Sequence, residues 1–138
     1  MYQKIIIVGN LGGDPEMRYM PDGTAVTNFS VATNRKWTDG AGNQAEEVTW
    51  FRVSVWRKQA ESANQYLSKG SKVLVEGRLK PDPATGSPRT YLRQDGTVGA
   101  SYEIAADTVR FLNSRDDGDY SGPVRETAVA TEEDDIPF

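Results

Sequence analysis

The stretch Thr49-Trp50-Phe51-Arg52-Val53-Ser54-Val55-Trp56-Arg57-Lys58 is the most informative part of the sequence. It is rich in aromatic and β-branched residues and contains no glycine or proline, so it predicts a β-strand. Alternate side chains of a strand point to opposite faces. One face then carries an apolar set that is typical of a hydrophobic core: Phe51, Val53 and Val55. The other face carries Trp50, Arg52, Ser54 and Trp56.

The second face is unusual for a solvated strand, because two indoles flank a guanidinium group. Flat π-surfaces beside a fixed positive charge suit stacked nucleic-acid bases and their phosphates. The alternative is that both faces are buried, as in the central strand of a sandwich. Arg52 argues against that alternative, since an unpaired buried arginine is costly. The strand therefore predicts a binding face.

The composition narrows the classes of function. The chain has 138 residues and contains neither cysteine nor histidine. Disulfides, zinc sites built on thiolate or imidazole, and Cys or Ser-His nucleophiles are therefore excluded. Chemistry built on Asp, Glu and Lys alone stays open. The sequence has no apolar run of 18 residues and no signal-peptide core of the usual length, which predicts a cytoplasmic protein with no membrane partner.

The charge is distributed unevenly along the chain. The formal net charge of −4 would by itself argue against a nucleic-acid partner. However, residues 113–138 hold two basic and eight acidic residues, a net charge of −6. Residues 1–112 hold 14 basic and 12 acidic residues, a net charge of +2. This asymmetry predicts a mildly basic domain, 1–112, followed by an acidic tail, 113–138.

The order of predicted elements indicates the fold. Short apolar or alternating runs predict strands over 3–11, 24–38, 46–56, 71–80 and 101–112. Residues 57–70 have helical spacing, with Gly70 as the expected C-cap. Three strands, a helix and two strands form the order of the oligonucleotide-binding (OB) barrel. We therefore expect an all-β fold, a five-stranded OB barrel with one helix between strands three and four.

The loops place further aromatic residues at the expected interface. The OB fold binds oligonucleotides with its second and third strands and with the loops between strands one and two and between strands four and five. The proline-rich segment Pro81–Pro88 predicts a loop, and Arg89–Arg93 predicts the arm that returns from it. Asp95-Gly96 predicts a further turn. The second strand ends in two cations beside an indole, Arg35-Lys36-Trp37. The aromatic residues on these elements are Trp37, Trp50, Trp56 and Tyr91.

The acidic tail has its own predicted role. Residues 113–133 are rich in Asp, Glu, Gly, Ser and Thr, a composition that predicts disorder. The last five residues offer anions and an apolar anchor, which favours recognition by a partner protein over a merely solubilising role. These five residues are Asp134, Asp135, Ile136, Pro137 and Phe138.

Several segments together carry a family resemblance. They are Ile7-Val8-Gly9-Asn10-Leu11-Gly12, Asp14-Pro15-Glu16-Met17-Arg18-Tyr19-Met20, Trp50-Phe51-Arg52-Val53, Tyr66-Leu67-Ser68-Lys69-Gly70-Ser71, Val75-Glu76-Gly77-Arg78-Leu79 and the motif at 134–138. On these segments the chain resembles the bacterial single-stranded DNA-binding proteins of the homotetrameric type. The resemblance runs through the whole chain except the segment 113–133, which links the domain to the motif.

The resemblance implies roles for individual residues. Bases would stack on Trp37, Trp50 and Trp56, and Tyr91 takes the place of a further family tryptophan. Loop Pro81–Pro88 replaces a charged stretch of the family and is a departure. The implied phosphate contacts are Arg18, Arg35, Arg52, Lys58, Lys69 and Lys72, and Lys36 joins them as a cation beside Trp37.

The expected function is sequence-tolerant binding of single-stranded DNA by a homotetramer in the cytoplasm, on the nucleoid. The tail would recruit replication, repair and recombination proteins. No catalysis, cofactor or metal is expected.

Three alternatives remain open at the level of sequence. One is an RNA-binding OB protein, because nothing in the sequence reads the 2′-hydroxyl. Another is a structural oligomer whose tryptophans lie in an interface. The third, a carboxylate-based metal nuclease, needs converging Asp and Glu. The acidic residues of 1–112 are instead scattered through turns and strand ends.

Overall fold

The computed structural model describes residues 1–112; the predicted tail, 113–138, with its Asp134–Phe138 motif, lies outside the described residues. The described part holds seven strands and one helix. Their bounds are β1 Ile5–Leu11, β2 Glu16–Tyr19, β3 Ala25–Thr38, β4 Gln44–Trp56, α1 Lys58–Tyr66, β5 Lys72–Leu79, β6 Arg89–Leu92 and β7 Val98–Phe111.

Five of these strands close into a barrel. The hydrogen-bonded order is β1-β5-β7-β4-β3, and β3 pairs back to β1 at Asn10↔Ala32 and Leu11↔Val31. All neighbours are antiparallel except β4 and β7, which are parallel. The predicted five-stranded OB barrel with a helix between its third and fourth strands is thereby confirmed. The two additional strands are short: β2 extends the sheet beside β3, and β6 pairs with β7.

Two hairpins differ greatly in length. Strands β3 and β4 pair at 13 consecutive positions, from Val26↔Trp56 to Thr38↔Gln44, without a register shift. Strands β6 and β7 pair at only four positions, from Arg89↔Ser101 to Leu92↔Val98. The long hairpin therefore continues from the barrel wall, whereas the short one is attached to β7 alone.

Two local predictions are corrected by the structure. The helix ends at Tyr66, and Leu67 is its extended C-cap, so Gly70 is not the cap. Gly70 has a φ of 92° and serves the turn into β5 instead. The arm Arg89–Arg93 forms its hairpin with β7, through the Asp95-Gly96 turn, and does not return along β5. Strand β5 already pairs with β1 and β7 and has no free edge for this arm.

The core follows from strand alternation. Its fully buried side chains come from alternate positions of the barrel strands, as the sequence predicts for β4: Val31, Val53, Val55, Val73, Val75 and Ile104. Helix α1 covers this core with two fully buried alanines, Ala60 and Ala63. The Thr27 hydroxyl donates a 2.7 Å hydrogen bond to the Ala60 carbonyl, which satisfies a polar group that would otherwise be buried unpaired.

Barrel closure depends on a close approach of backbone at Gly9. A Cβ atom on Gly9 would lie 2.2 Å from the Ala32 carbonyl oxygen and 2.8 Å from Val31 Cγ1. These atoms belong to β3, which is the strand that β1 must reach to close the barrel. Glycine at position 9 is therefore required by the space that the crossing leaves.

Gly9→Ala is expected to lower the free energy of unfolding by about 1–3 kcal/mol, because the added methyl group overpacks the crossing of β1 and β3. Urea denaturation at fixed chain concentration measures this loss. Gly13→Ala is the matched control, since a Cβ atom there meets nothing within 4 Å. Equal stability of the two variants would contradict this account of closure.

Candidate nucleic-acid interface

The outer face of β4 is the centre of the candidate interface. Trp50 is 53% exposed and Arg52 is also exposed, whereas Val53 and Val55 on the inner face are fully buried. Phe51 is half-buried against the core. The predicted division of β4 into a core face and an outer aromatic face is therefore confirmed.

Trp50 lies in a row of residues that crosses four strands. It is opposite Ala32 on β3, Ala32 is opposite Asn10 on β1, and Asn10 is opposite Lys72 on β5. With strands about 4.8 Å apart, Lys72 lies about 14 Å from Trp50 across the curved sheet. Barrel closure thus places a cation from β5 on the same row as the indole of β4.

Small neighbours leave the Trp50 indole open to solvent. Its six-membered ring covers Gly12, where an added Cβ would lie 2.5 Å from Cζ3. The facing residue on β3, Ala32, is also small. The ring therefore rests on backbone at one edge and keeps π-surface available for stacking.

A recess of about 360 Å³ adjoins Trp50 and Arg52. In the β3–β4 ladder Arg52 lies opposite Ser30, and in the β4–β7 ladder it lies opposite Glu103. The Ser54 hydroxyl donates a 2.6 Å hydrogen bond to Asn28 Oδ1 on the same face. The recess is lined by Gly12, Gly13, Asp14, Glu16, Asn28, Phe29, Ser30, Trp50 and Arg52. An aromatic ring and a guanidinium meet two carboxylates and small polar groups in this recess.

The loop after β1 is fastened beside this recess. The Lys69 backbone amide donates a 2.8 Å hydrogen bond to the Asp14 carboxylate. The Gly12 amide donates to the Ser30 carbonyl at 3.0 Å. Lys69 is itself exposed, so its loop brings a predicted phosphate contact to the rim of the recess.

The other end of the β4 face is built around Trp56. Arg18 on β2 lies opposite Val26, and Val26 lies opposite Trp56, so Arg18 shares the face of this indole. Lys80 Nζ lies 5.8 Å from the centroid of the Trp56 ring, within cation–π range. Lys58 is exposed at the start of α1, two residues beyond Trp56. Predicted site residues from β2, β4 and α1 therefore lie around this end of the face.

Lys80 is a candidate residue that the sequence analysis did not single out. Alternation along its strand places it with Arg78 on one face, but alternation does not say which aromatic residue that face meets. The contact with Trp56 arises because β7 lies between β4 and β5 in the barrel. That order depends on pairings between strands far apart in sequence, so no local signal could have found it.

Trp37 lies apart from Trp50 and Trp56. It is opposite Ala45 and has the strand parity of the buried Val31, so it faces the other side of the β3–β4 ribbon from Trp50. The Arg35 guanidinium carbon lies 4.1 Å from the centroid of the Trp37 ring, and its Nη2 lies 2.7 Å from Glu47 Oε1. Lys36, on the Trp50 side, lies opposite Glu46. Two of the predicted cations are thus opposite carboxylates.

Tyr91 occupies the second hairpin. It is 48% exposed and covers Gly99, where an added Cβ would lie 2.3 Å from its ring. The Arg93 guanidinium lies 5.6 Å from the centroid of the same ring. Arg89, two residues away, lies 3.7 Å from Glu103, the residue opposite Arg52. The β6–β7 hairpin, which carries Tyr91, therefore lies close to Arg52 on the outer face.

The geometry thus defines an OB barrel with an exposed aromatic and cationic face, and comparison with known proteins places it in a family. Residues 2–112 match the model of the single-strand binding protein family, and the chain belongs to this family. The predicted resemblance is thereby confirmed. Membership of a family of binding proteins also means that the chain is not an enzyme.

Individual relatives agree with this assignment. A single-stranded DNA-binding protein of Neisseria meningitidis serogroup B is 42% identical over 123 residues, which are 89% of this chain and 67% of the relative. One from Helicobacter hepaticus is 41% identical over 86% of this chain and 66% of its own length. The chain therefore matches about two thirds of these relatives.

Solved structures share the fold. A small single-stranded DNA-binding protein from Streptomyces coelicolor superposes with a TM-score of 0.66 at 27% identity, covering 82% of this chain and 96% of that one. The Plasmodium falciparum SSB complex with ssDNA gives a TM-score of 0.67 at 25% identity, covering 82% and 97%.

Residues 1–112 lack two further features. No helix in this part of the chain combines the length and apolar character needed to cross a membrane. The same residues contain no group of three Asp or Glu side chains placed to hold a metal ion. The converging carboxylates that a metal nuclease needs are therefore not found in the described part of the chain.

Proposed function

We propose that this protein binds single-stranded DNA without sequence preference, by stacking bases on Trp50 and its neighbours and by pairing phosphates with the surrounding cations. The observation that carries the proposal is the exposed Trp50 beside the exposed Arg52 on one face of a closed OB barrel. Every base offers a π-face, so a platform of this kind does not depend on sequence.

The expected energies are consistent with such a role. Each base stacked on an aromatic side chain contributes about 1–3 kcal/mol. Phosphate contacts by Lys and Arg add an attraction that weakens steeply with salt. Trp50 and Trp56 on the barrel form the central platform, and Tyr91 on the β6–β7 hairpin extends it. Trp37 offers a separate ring on the opposite side of the β3–β4 ribbon. The names of the relatives support single-stranded DNA as the ligand, since each relative is called a single-stranded DNA-binding protein.

The proposal includes self-association into a homotetramer. Strand β1 pairs with β3 only at Asn10 and Leu11, so within residues 1–112 its Ile5–Gly9 edge facing β3 carries no strand. On the outer face of the same strand Ile6 and Val8 are 55% and 45% exposed. An unpaired apolar edge of this kind supports strand addition by a second copy. Four copies on one DNA strand raise the effective concentration of binding sites.

The proposal also assigns a partner-binding role to the acidic tail. Asp134, Asp135, Ile136, Pro137 and Phe138 combine anions with apolar side chains. We expect them to recruit replication, repair and recombination proteins to the bound DNA, in the cytoplasm and on the nucleoid. The support for this part is the sequence motif together with the resemblance.

Oligo-dT is expected to quench the tryptophan fluorescence strongly, because stacked bases contact exposed indoles. Duplex DNA of the same length should leave the fluorescence unchanged. Titration at low salt with oligo-dT, oligo-rU and duplex measures this. Unchanged fluorescence with oligo-dT would refute the proposal in favour of interface tryptophans, and tighter binding of oligo-rU would favour the RNA-binding alternative.

Trp50→Ala is expected to weaken oligo-dT binding by about 1–3 kcal/mol, since it removes one stacking ring from an exposed position. Trp50→Phe keeps a ring and is the matched control, with a smaller loss. Sedimentation should give the same oligomer for both variants and the unmodified protein. An alanine variant that binds normally, or that dissociates into monomers, would contradict the assignment of Trp50 to the binding face.

Phe138→Ala is expected to abolish capture of replication, repair and recombination proteins from a bacterial extract while leaving oligo-dT binding unchanged. Tyr120→Ala is the matched control, because it removes an aromatic ring from the same acidic segment outside the motif. Capture is measured on immobilised full-length protein, and DNA binding by titration. Loss of both activities to the same extent would contradict the division into a DNA-binding domain and a recruiting tail.

A further inference from the structure

A second cationic region lies beyond Trp56 and includes Arg57 and Arg78, two residues that neither the sequence nor the resemblance assigns to DNA. An open depression of about 670 Å³ is lined on one side by Trp56 and on the others by Arg57, Lys58 and Arg78. Its floor includes two small residues of β7, Ala105 and Ala106. Small side chains at the floor leave room for a ligand between the cations.

The strand register places Arg78 on the same face as the central platform. Arg78 on β5 lies opposite Ala105 on β7, and Ala105 lies opposite Ser54 on β4. Ser54 is the residue between Arg52 and Trp56 on the outer face. Two strand spacings separate Arg78 from Ser54, about 10 Å. The binding face therefore continues from β4 across β7 to β5 without a change of side.

The cations of this region have no ion-pair partners in the described part of the chain. The two ion pairs found in residues 1–112 are Arg35–Glu47 and Arg89–Glu103. One carboxylate, Asp107, lines the depression without pairing to a cation. Hydrogen bonds from Thr24 lower the pKa of Asp22 in the β2–β3 turn, and the charge of Arg57 adds a smaller effect. The local excess of positive charge is thus open to an external anion.

Arg57 has a backbone conformation that favours glycine. Its φ is 63° and its ψ is −131°, and it is the non-glycine residue with positive φ in residues 1–112. Strain of this kind persists where the surrounding structure enforces it and is frequent at functional sites. Here the Arg57 amide donates a 2.8 Å hydrogen bond to the Ala25 carbonyl, which holds the turn between β4 and α1. An arginine at a position that suits glycine points to a role for its side chain.

We propose that Arg57 and Arg78 form a phosphate subsite that carries single-stranded DNA from Trp56 across β7 to β5. Lys58 and Lys80 flank the subsite, and the base 5′ or 3′ to the bound phosphate stacks on Trp56. This inference rests on the proposed function and adds to it a path for the strand away from Trp50. The ligand is a phosphodiester of the same strand, because the depression is open and continuous with the stacking face.

Titration of the full chain with long oligo-dT over a range of salt concentrations tests the subsite. Each phosphate contact on a single strand contributes about 0.7 to the slope of log affinity against log salt. Arg57→Gly and Arg78→Gln should therefore each reduce that slope by about 0.7 for every subunit that contacts the DNA. For one lost contact, the affinity of the unmodified protein divided by that of the variant should be about eightfold larger at about 50 mM salt than at about 1 M.

Two further variants and a second measurement on Arg57→Gly separate charge from structure. Arg57→Lys should restore the slope, because it keeps the positive charge. Arg57→Gly should also raise the melting temperature by a few degrees, since it relieves the strained backbone. If Arg57 served only to stabilise the fold, the same change would lower the melting temperature. Arg110→Gln is the charge-matched control on β7, exposed and outside the depression, and should leave the slope unchanged.

The outcomes distinguish failure of the subsite from failure of the proposed function. If the unmodified protein does not bind oligo-dT, the proposed function itself is wrong. If it binds and Trp50→Ala weakens binding, while Arg57→Gly and Arg78→Gln keep the slope of Arg110→Gln, the subsite is refuted. Should Arg57→Gly fail to fold, Arg78→Gln alone decides, because Arg78 is an exposed residue with an ordinary strand conformation.

Discussion

The approach of β1 to β3 at Gly9 is the constraint on which the rest of the structure depends. A side chain at position 9 would collide with the Ala32 carbonyl. Only with this close approach can β1 pair with β3, at Asn10↔Ala32 and Leu11↔Val31, and these pairs close the five strands into a barrel. Closure then aligns Lys72 of β5 with Trp50 of β4 on one row. The composition of the candidate interface is therefore determined by a packing contact on another strand.

The sequence predicts what depends on local alternation. Trp50 and Val53 fall on opposite faces of β4 because the side-chain period of a strand is two, and no partner strand can change that. Local alternation does not predict contacts that depend on pairing between strands far apart in the sequence. Lys80 meets Trp56 because β7 separates β4 from β5, and the residues next to Lys80 carry no sign of that strand order. Trp37, by contrast, shares the parity of the buried Val31, so alternation along β3 already places it on the side away from Trp50.

Helix termination gives a smaller example of the same limit. Lys69-Gly70 has the composition of a helix C-terminus, yet α1 ends at Tyr66. The Gly70 amide instead donates to the Leu11 carbonyl, and the Asn10 side chain donates to the Gly70 carbonyl. These tertiary hydrogen bonds to β1 hold Gly70 in the turn that leads into β5. A propensity for a cap is a weak prior that such contacts override.

The 13 uninterrupted pairs of β3 and β4 have a mechanical consequence. A force on the tip of this ribbon loads many ladder hydrogen bonds that run on into the barrel wall, so the tip and the core respond as one stiff body. The hairpin of β6 and β7 has only four pairs to share a load, and a hairpin that short has little stability by itself. Under tension the two hairpins would therefore behave differently. The β3–β4 hairpin would keep its pairing, and the β6–β7 hairpin would separate first.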